Sequence, residues 1–190
     1  MIRYLLPNTK AFKANLHAHS TVSDGNNTPE RLKELYKGQG YSILAITDHE
    51  LLVDHSELDD EDFLTITGYE YAVVENKPWN EARTLEINIF AKDQHNVSQV
   101  CFCPERVIHG EKWRIPYVKY VGELVEKRFD IEFVQQVIDE ARANGFIVSL
   151  NHPSVSFITP EFFGSLEGLF AMEIYNNDAY LCGVWEFCPK

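Results

Sequence analysis

Apolar positions along the chain follow two periods. SILAIT at 42–47 is an unbroken apolar run, as expected of a strand buried on both faces. FLTITGYEY at 63–71 and TLEINIFA at 84–91 are rich in β-branched and aromatic residues and predict two more strands. FKANLHA at 12–18 predicts a short strand before them, and FIVSLNH at 146–152 and LFAMEIYN at 169–176 predict two after them. Between these runs the period becomes helical. Thr28 and Pro29 suit the cap and first position of a helix whose apolar face is Leu32, Leu35 and Tyr36, closed by Gly38 and Gly40. Asp130 caps a second helix with Val134, Val137, Ile138 and Ala141 on one face and Gly145 behind it. Strand, helix, strand in this order predicts a parallel α/β sheet or barrel. Chemistry in such folds gathers at the C-terminal ends of the strands.

One stretch fits neither period. Residues 92–128 mix Pro104, Gly110, Pro116 and Gly122 with aromatics and charges. A loop this long is ordinarily functional or carries structure that periodicity does not reveal. The length, 190 residues with 45% hydrophobic and 24% charged side chains, fits a single domain over 1–190, with 92–128 as an unassigned insertion.

Metal-ligand residue types fall where the strand-end rule places chemistry. His17 and His19 close the first predicted strand, and their i, i+2 spacing puts both on one face. Asp24 follows in the turn SDGNN, Asp48 and His49 close the second strand, Glu70 ends the third, and His152 ends a later one. A single buried histidine is ordinarily a hydrogen-bonded core residue. Coincidence at four strand ends points instead to a metal site, since neutral imidazoles and carboxylates are the ligands of zinc, manganese and iron. His55, His95 and His109 read as surface residues.

Charge narrows the function. Lys and Arg number 17 against 29 Asp and Glu, a net −12 with no basic run. Stable binding to a nucleic-acid duplex is not expected. An anionic substrate is repelled at long range, so local cations or metals must offset that field. No apolar run approaches the ~18 residues of a membrane span. The opening MIRYLLPNTKAFK, broken by Pro7, is too short in apolar residues for a signal peptide, so a cytoplasmic location is expected. Cys101, Cys103, Cys182 and Cys188 are then expected to be reduced thiols.

The segment NLHAHSTVSDGNNTPERLKELYKGQGYSILAITDHE resembles the opening of a PHP domain (polymerase and histidinol phosphatase). H-x-H, a serine or threonine, D-G, a helix-starting proline and a strand ending in T-D-H all occur at matching spacing over residues 14–50. The match continues more loosely through GYE at 68–70, NHP at 151–153 and EIYN at 173–176, and is poor over 92–128. The resemblance implies a distorted, mostly parallel (β/α)7 TIM-like barrel. It implies up to three divalent metals, commonly zinc, manganese or iron, and hydrolysis of a small phosphorylated metabolite or nucleotide. By position, His17, His19 and Glu70 would hold a first metal. Glu70 would bridge to a second, also bound by His152, and Asp24 and His49 would hold a third. Asp48 would orient a neighbour. Glu70, His17 and His19 would then carry catalysis through a metal-activated hydroxide.

The chain departs from the family pattern twice. The strand after the glutamate reads LEINIF, offering Glu86 as a carboxylate ligand and Asn88 but no histidine. No D-x-H follows EIYN, so the barrel reads as short by a strand and a helix at its C-terminal end. A natural truncation, a fragment and a divergent member all fit. Two other functions follow from this: a degenerate domain that binds metal or ligand without turnover, and an interaction module without metal. A shortened barrel also exposes a sheet edge that a second copy could cover, making an oligomer.

Overall fold

The structure, a computed structural model, describes residues 11–78, 81–107, 109–153 and 158–177. Its main sheet has six strands in the order β1 (Ala14–Asn15), β2 (Ile43–Ile46), β3 (Leu64–Val74), β4 (Thr84–Ala91), β7 (Phe146–Leu150) and β8 (Ala171–Met172). The pairs β1–β2, β2–β3 and β7–β8 are parallel. β4 runs against both of its neighbours. The parallel sheet expected from the sequence is therefore mixed, and the seven-unit βα count is not what the described residues show. The reason is local. β3 continues past Glu70 to Val74, leaving only residues 75–83 before β4. A parallel crossover needs a dozen or more residues, so the chain turns back as a hairpin.

Strand alternation sorts the side chains into two layers. Tyr69, Tyr71 and Val73 of β3, Leu85, Ile87 and Ile89 of β4, and Phe146, Val148 and Leu150 of β7 are buried in one core cluster. The helix α2 (Ile131–Ala143) covers that layer with Phe133, Val134, Val137, Ile138 and Ala141. Asp130 caps it, accepting from Phe133 N at 2.7 Å. The intervening positions, Glu70, Glu86, Asn88 and Ser149, face the other way; Asn88 is the cross-strand partner of both Glu70 and Ser149. A second, smaller core lies beneath α1 (Pro29–Gly38), whose cap is Thr28. Leu32 is buried there with Tyr36 packed beside it, whereas Leu35, expected on the same face, is exposed.

The sheet is curled into a half-barrel. In a flat sheet of six strands the two edges would stand about 24 Å apart at about 4.8 Å per spacing. Here His17, two residues past β1, meets Glu173, one past β8, at 2.6 Å. The edges converge at the end where β1, β2, β3, β7 and β8 finish and β4 begins.

The 92–128 stretch carries short elements that periodicity could not show. β5 (Ser98–Gln99) pairs in parallel with β6 (Lys119–Tyr120), and single 3-10 segments span Pro104–Arg106 and Lys112–Tyr117. It is held down by consecutive rather than periodic residues: Val100, Cys101, Phe102 and Cys103 are all buried. Cys101 and Cys103 are free thiols, and burial pushes Cys101 up to about 11. Cys182 and Cys188 lie outside the described residues. A four-residue helix, α3 (Pro160–Phe163), follows β7. No helix among the described residues is long and apolar enough to cross a membrane.

Candidate metal centre

Glu70 lies at the centre of the site, with 1% of its side chain exposed. It is not at the end of its strand, as the sequence suggested, but opposite the end of the shorter neighbour. The β2–β3 ladder runs on past Ile46: Glu70 N donates to Asp48 O at 3.2 Å and Glu50 N to Glu70 O at 2.8 Å. That extension sets His49 directly beside Glu70. Four imidazoles surround the carboxylate. His17 Nε2 and His152 Nε2 lie 3.2 and 3.4 Å from Oε1, and His19 Nε2 and His49 Nδ1 each lie 3.2 Å from Oε2. Asn151 Nδ2 donates to Oε1 at 2.6 Å.

His17 and His19 sit beyond β1 rather than on it, yet their Nε2 atoms are 3.1 Å apart. The loop after them is built for this placement. Asp48 accepts from Ser20 N, Ser20 Oγ and Ser23 Oγ, each at 2.7 Å. Gly25 is required because a Cβ there would run into the His19 carbonyl. The turn delivers Asp24 with Oδ1 3.4 Å from His19 Nδ1 and Oδ2 3.6 Å from His49 Nε2. Because β4 is antiparallel, its N-terminal end reaches the site and carries Glu86 to 3.7 Å from His152 Nε2.

The electrostatics follow from this packing. Burial opposes the charge on Glu70, but the imidazoles of His152, His17 and His19 hold its carboxyl well below the usual range. Burial alone would lower His17; the Glu173 and Glu70 carboxylates on its two ring nitrogens instead raise it to about 10. Burial pushes His49 down to about 4. Glu86 is pushed up to about 7, by burial first and then by the charge on Glu70.

The donor set fits divalent metal. Ligands at about 2.1 Å around one tetrahedral ion lie about 3.4 Å from each other. Four groups have their ligand atoms within 4.8 Å: His17, His19 and Glu70; His17, His152 and Glu173; His19, Asp24 and His49; and His49, Glu70 and Glu86. All seven residues named as ligands from the sequence, Glu86 included, meet in this one region. Asn88 Oδ1 is also buried without a hydrogen-bond partner among the described residues.

Other residues were misjudged or missed. His55, expected at the surface, is buried at 6% exposure, and that burial lowers it. His95 is exposed and contacts Asp54 at 2.8 Å. His109 is exposed, but its ring centroid is 5.1 Å from that of His49. Glu173 was not singled out. It accepts from His152 N at 2.9 Å as well as facing His17 Nδ1, and its place in the second half of the strand predicted over 169–176 was the available signal.

A cleft of about 270 Å³ opens beside the donors. Its walls include His49 and Glu86 from the cluster, Val74 and Ala82 near the hairpin, and Arg106 and His109 from the stretch after β5. Lys127 and Glu50 also line it, joined at 2.7 Å with 4% and 8% of their side chains exposed.

No protein-family model matches the chain, and no curated protein matches it. Solved structures do. A candidate metal-dependent phosphoesterase from Bifidobacterium adolescentis superposes at TM-score 0.58 with 16% identity, over 87% of this chain and 78% of that one. An amidohydrolase from Chromobacterium violaceum, solved with bound sulfate and no metal, superposes at TM-score 0.55 with 14% identity, over 90% and 84% of the two chains. At these identities the likeness is one of fold.

Proposed function

We propose that the protein is a metal-dependent phosphoesterase that hydrolyses a small phosphorylated metabolite or nucleotide. The observation that carries this is a buried carboxylate, Glu70, within 3.4 Å of four imidazole nitrogens at the converging ends of the sheet. Similarity of fold to a candidate metal-dependent phosphoesterase supports it. His17, His19 and Glu70 would hold one ion. Glu70, His152 and Glu86 would hold a second, and Asp24 and His49 a third. Zinc, manganese and iron all suit such nitrogen and oxygen donors. A divalent ion there supplies an activated water near neutral pH and positive charge against the phosphate oxygens.

The chain's own residues would prepare that chemistry. Glu173 faces His17 Nδ1 at 2.6 Å and would fix the ring so that Nε2 is presented to the donor cluster. Asn151 donates to Glu70 Oε1 and fixes the plane of the carboxylate. The Asp48 carboxylate, through Ser20 and Ser23, holds the loop that presents His19 and Asp24. Residues 1–190 would act as one domain, with 92–128 forming a wall of the cleft.

The test is hydrolysis of p-nitrophenyl phosphate by protein loaded with manganese, zinc or iron, with metal content measured on the same sample. Two or three ions per chain, turnover, and its loss in His17→Ala are the expected results. No turnover with any of the three ions would overturn the reading. A second reading, metal binding without turnover, is favoured by β4, which offers Glu86 and Asn88 where a histidine would strengthen the site. Bound metal and raised thermal stability without hydrolysis would establish it instead.

A further inference from the structure

One of the three proposed ions is short of donors. The first would take His17, His19 and Glu70; the two Nε2 atoms are 3.1 Å apart and each is 3.2 Å from a Glu70 oxygen. The second would take Glu70, His152 and Glu86. The third has Asp24 and His49, whose Oδ2 and Nε2 lie 3.6 Å apart. His19 is also near them, but its Nε2 is already turned to His17 and Glu70, and a neutral imidazole offers one lone pair. Even an open, catalytic zinc site uses three protein ligands. Two leave the third ion weakly held.

The stretch after β5 passes along this side of the cluster and is tied to it at three points. Phe102 and Val107 share a small core with Val22 and Leu51. Gly110 lies so close to Leu51 that a Cβ there would stand 2.7 Å from Leu51 Cδ1. Glu111 N donates to Val22 O at 2.9 Å. Val22 precedes Asp24 by two residues, and Leu51 follows His49 by two. The stretch is therefore anchored to both loops that carry the third ion's donors, and His109 stands among these anchors.

The ring geometry agrees. The His109 ring centre is 5.1 Å from that of His49, at an interplanar angle of 42°. Ring pairs among the cluster's own histidines stand 4.5, 5.1 and 5.6 Å apart. Two imidazoles on one tetrahedral ion, each bound at about 2.1 Å, hold their ring centres about 5 Å apart. His109 is outside the four close donor groups, but it is exposed and lines the cleft beside His49. Exposed side chains change rotamer within nanoseconds, so the ring can close the remaining distance when an ion arrives.

Resting on the three-ion reading above, we propose that His109 is a ligand of the third ion, binding it through a ring nitrogen together with Asp24 and His49. The stretch over 92–128 then supplies part of the metal centre as well as a wall of the cleft.

Metal retention tests this without turnover. Protein loaded with cobalt(II) is dialysed against metal-free buffer and its metal content measured. The wild type is expected to retain one ion more than Asp24→Asn. His109→Gln is expected to match Asp24→Asn, and the double variant to match either single one, because both changes act on the same ion. His109→Cys keeps a donor, so it is expected to recover the ion and to gain a near-ultraviolet sulfur-to-cobalt band that the wild type, with its own cysteines, does not show. That band separates ligation from mere support of the loops. Wild-type metal content in His109→Gln overturns the proposal and leaves the three-ion reading standing. A further ion lost in the double variant also overturns it, since the two residues would then serve different ions. Equal metal content in the wild type and Asp24→Asn removes the third ion itself, and the three-ion reading falls with the proposal.

Discussion

Replacing Glu70 with glutamine removes one negative charge and leaves the shape of the side chain almost unchanged. It is therefore expected to leave the fold intact and to lower metal content by at least one ion per chain, read by elemental analysis. Unchanged metal content would show that the four imidazoles bind without it. A second expectation concerns pH. His17 is held up to about 10 in the folded chain, against about 6.5 for an unperturbed histidine. Its pairing with Glu173 and Glu70 contributes in full below about pH 6.5 and is lost as pH rises toward 10. The melting temperature of chelator-treated protein should fall across that window, and His17→Gln should flatten the fall. Equal slopes in the two proteins would refute the assignment. At this scale the sequence was highly informative about histidines and less so about carboxylates. Seven histidines stand out in a chain, so His17, His19, His49 and His152 at strand ends were conspicuous. Glu173 obeys the same rule but is one of 29 acidic residues, most of them on solvated faces. His55 misled because its acidic neighbours suggested solvent, whereas the loop folds it inward.

At the scale of elements, the joint between the 92–128 stretch and the sheet is the part most open to test. Glu50 sits in left-handed backbone (φ 61°), and its carboxylate is buried against Lys127 from the far end of that stretch. Lys127→Met should destabilise the protein by about 3–5 kcal/mol, because it strands a buried charge. Adding Glu50→Gln should recover much of that loss, as measured by urea unfolding of the single and double variants. Additive losses would mean that the two groups act independently. The helices were legible because a face repeating every three to four residues and a capping residue are local signals, and Pro29–Gly38 and Ile131–Ala143 follow them closely. The direction of β4 was not legible. By pattern alone residues 72–83 separate the two strands, enough for either connection; β3 in fact runs on to Val74 because β4 is there to pair with it. Strand length is set by the partner, which no local pattern reveals.

Taken as a whole, the molecule closes its open sheet through side chains rather than through a continuous ladder. The contact of His17 with Glu173 joins two edge strands of two residues each, too short to hold their positions by backbone pairing alone. Glu173→Ala should therefore raise amide exchange at β1 and β8 together while leaving α2 protected, in hydrogen–deuterium exchange read by mass spectrometry. A change at one edge only would show that the edges are anchored separately. Metal binding should act in the reverse sense, protecting both edges at once. The order of elements predicts an α/β sheet or barrel, but a parallel one; the sheet is mixed because β4 runs against both neighbours. The curl of the sheet was not legible, since it depends on side chains 156 positions apart in the chain meeting at one point.

The β3–β4 hairpin gives this arrangement a particular kind of freedom. The donors stand on or beside backbone that is tied into ladders, whereas Val74, Ala82 and Thr84, which wall the cleft, flank the connection over residues 75–83. Insertions or deletions in that connection would resize the cleft without shifting Glu70 or Glu86 in register. Under the proposed function, editing that single turn would change which molecules the cleft admits while the donor cluster stayed as it is.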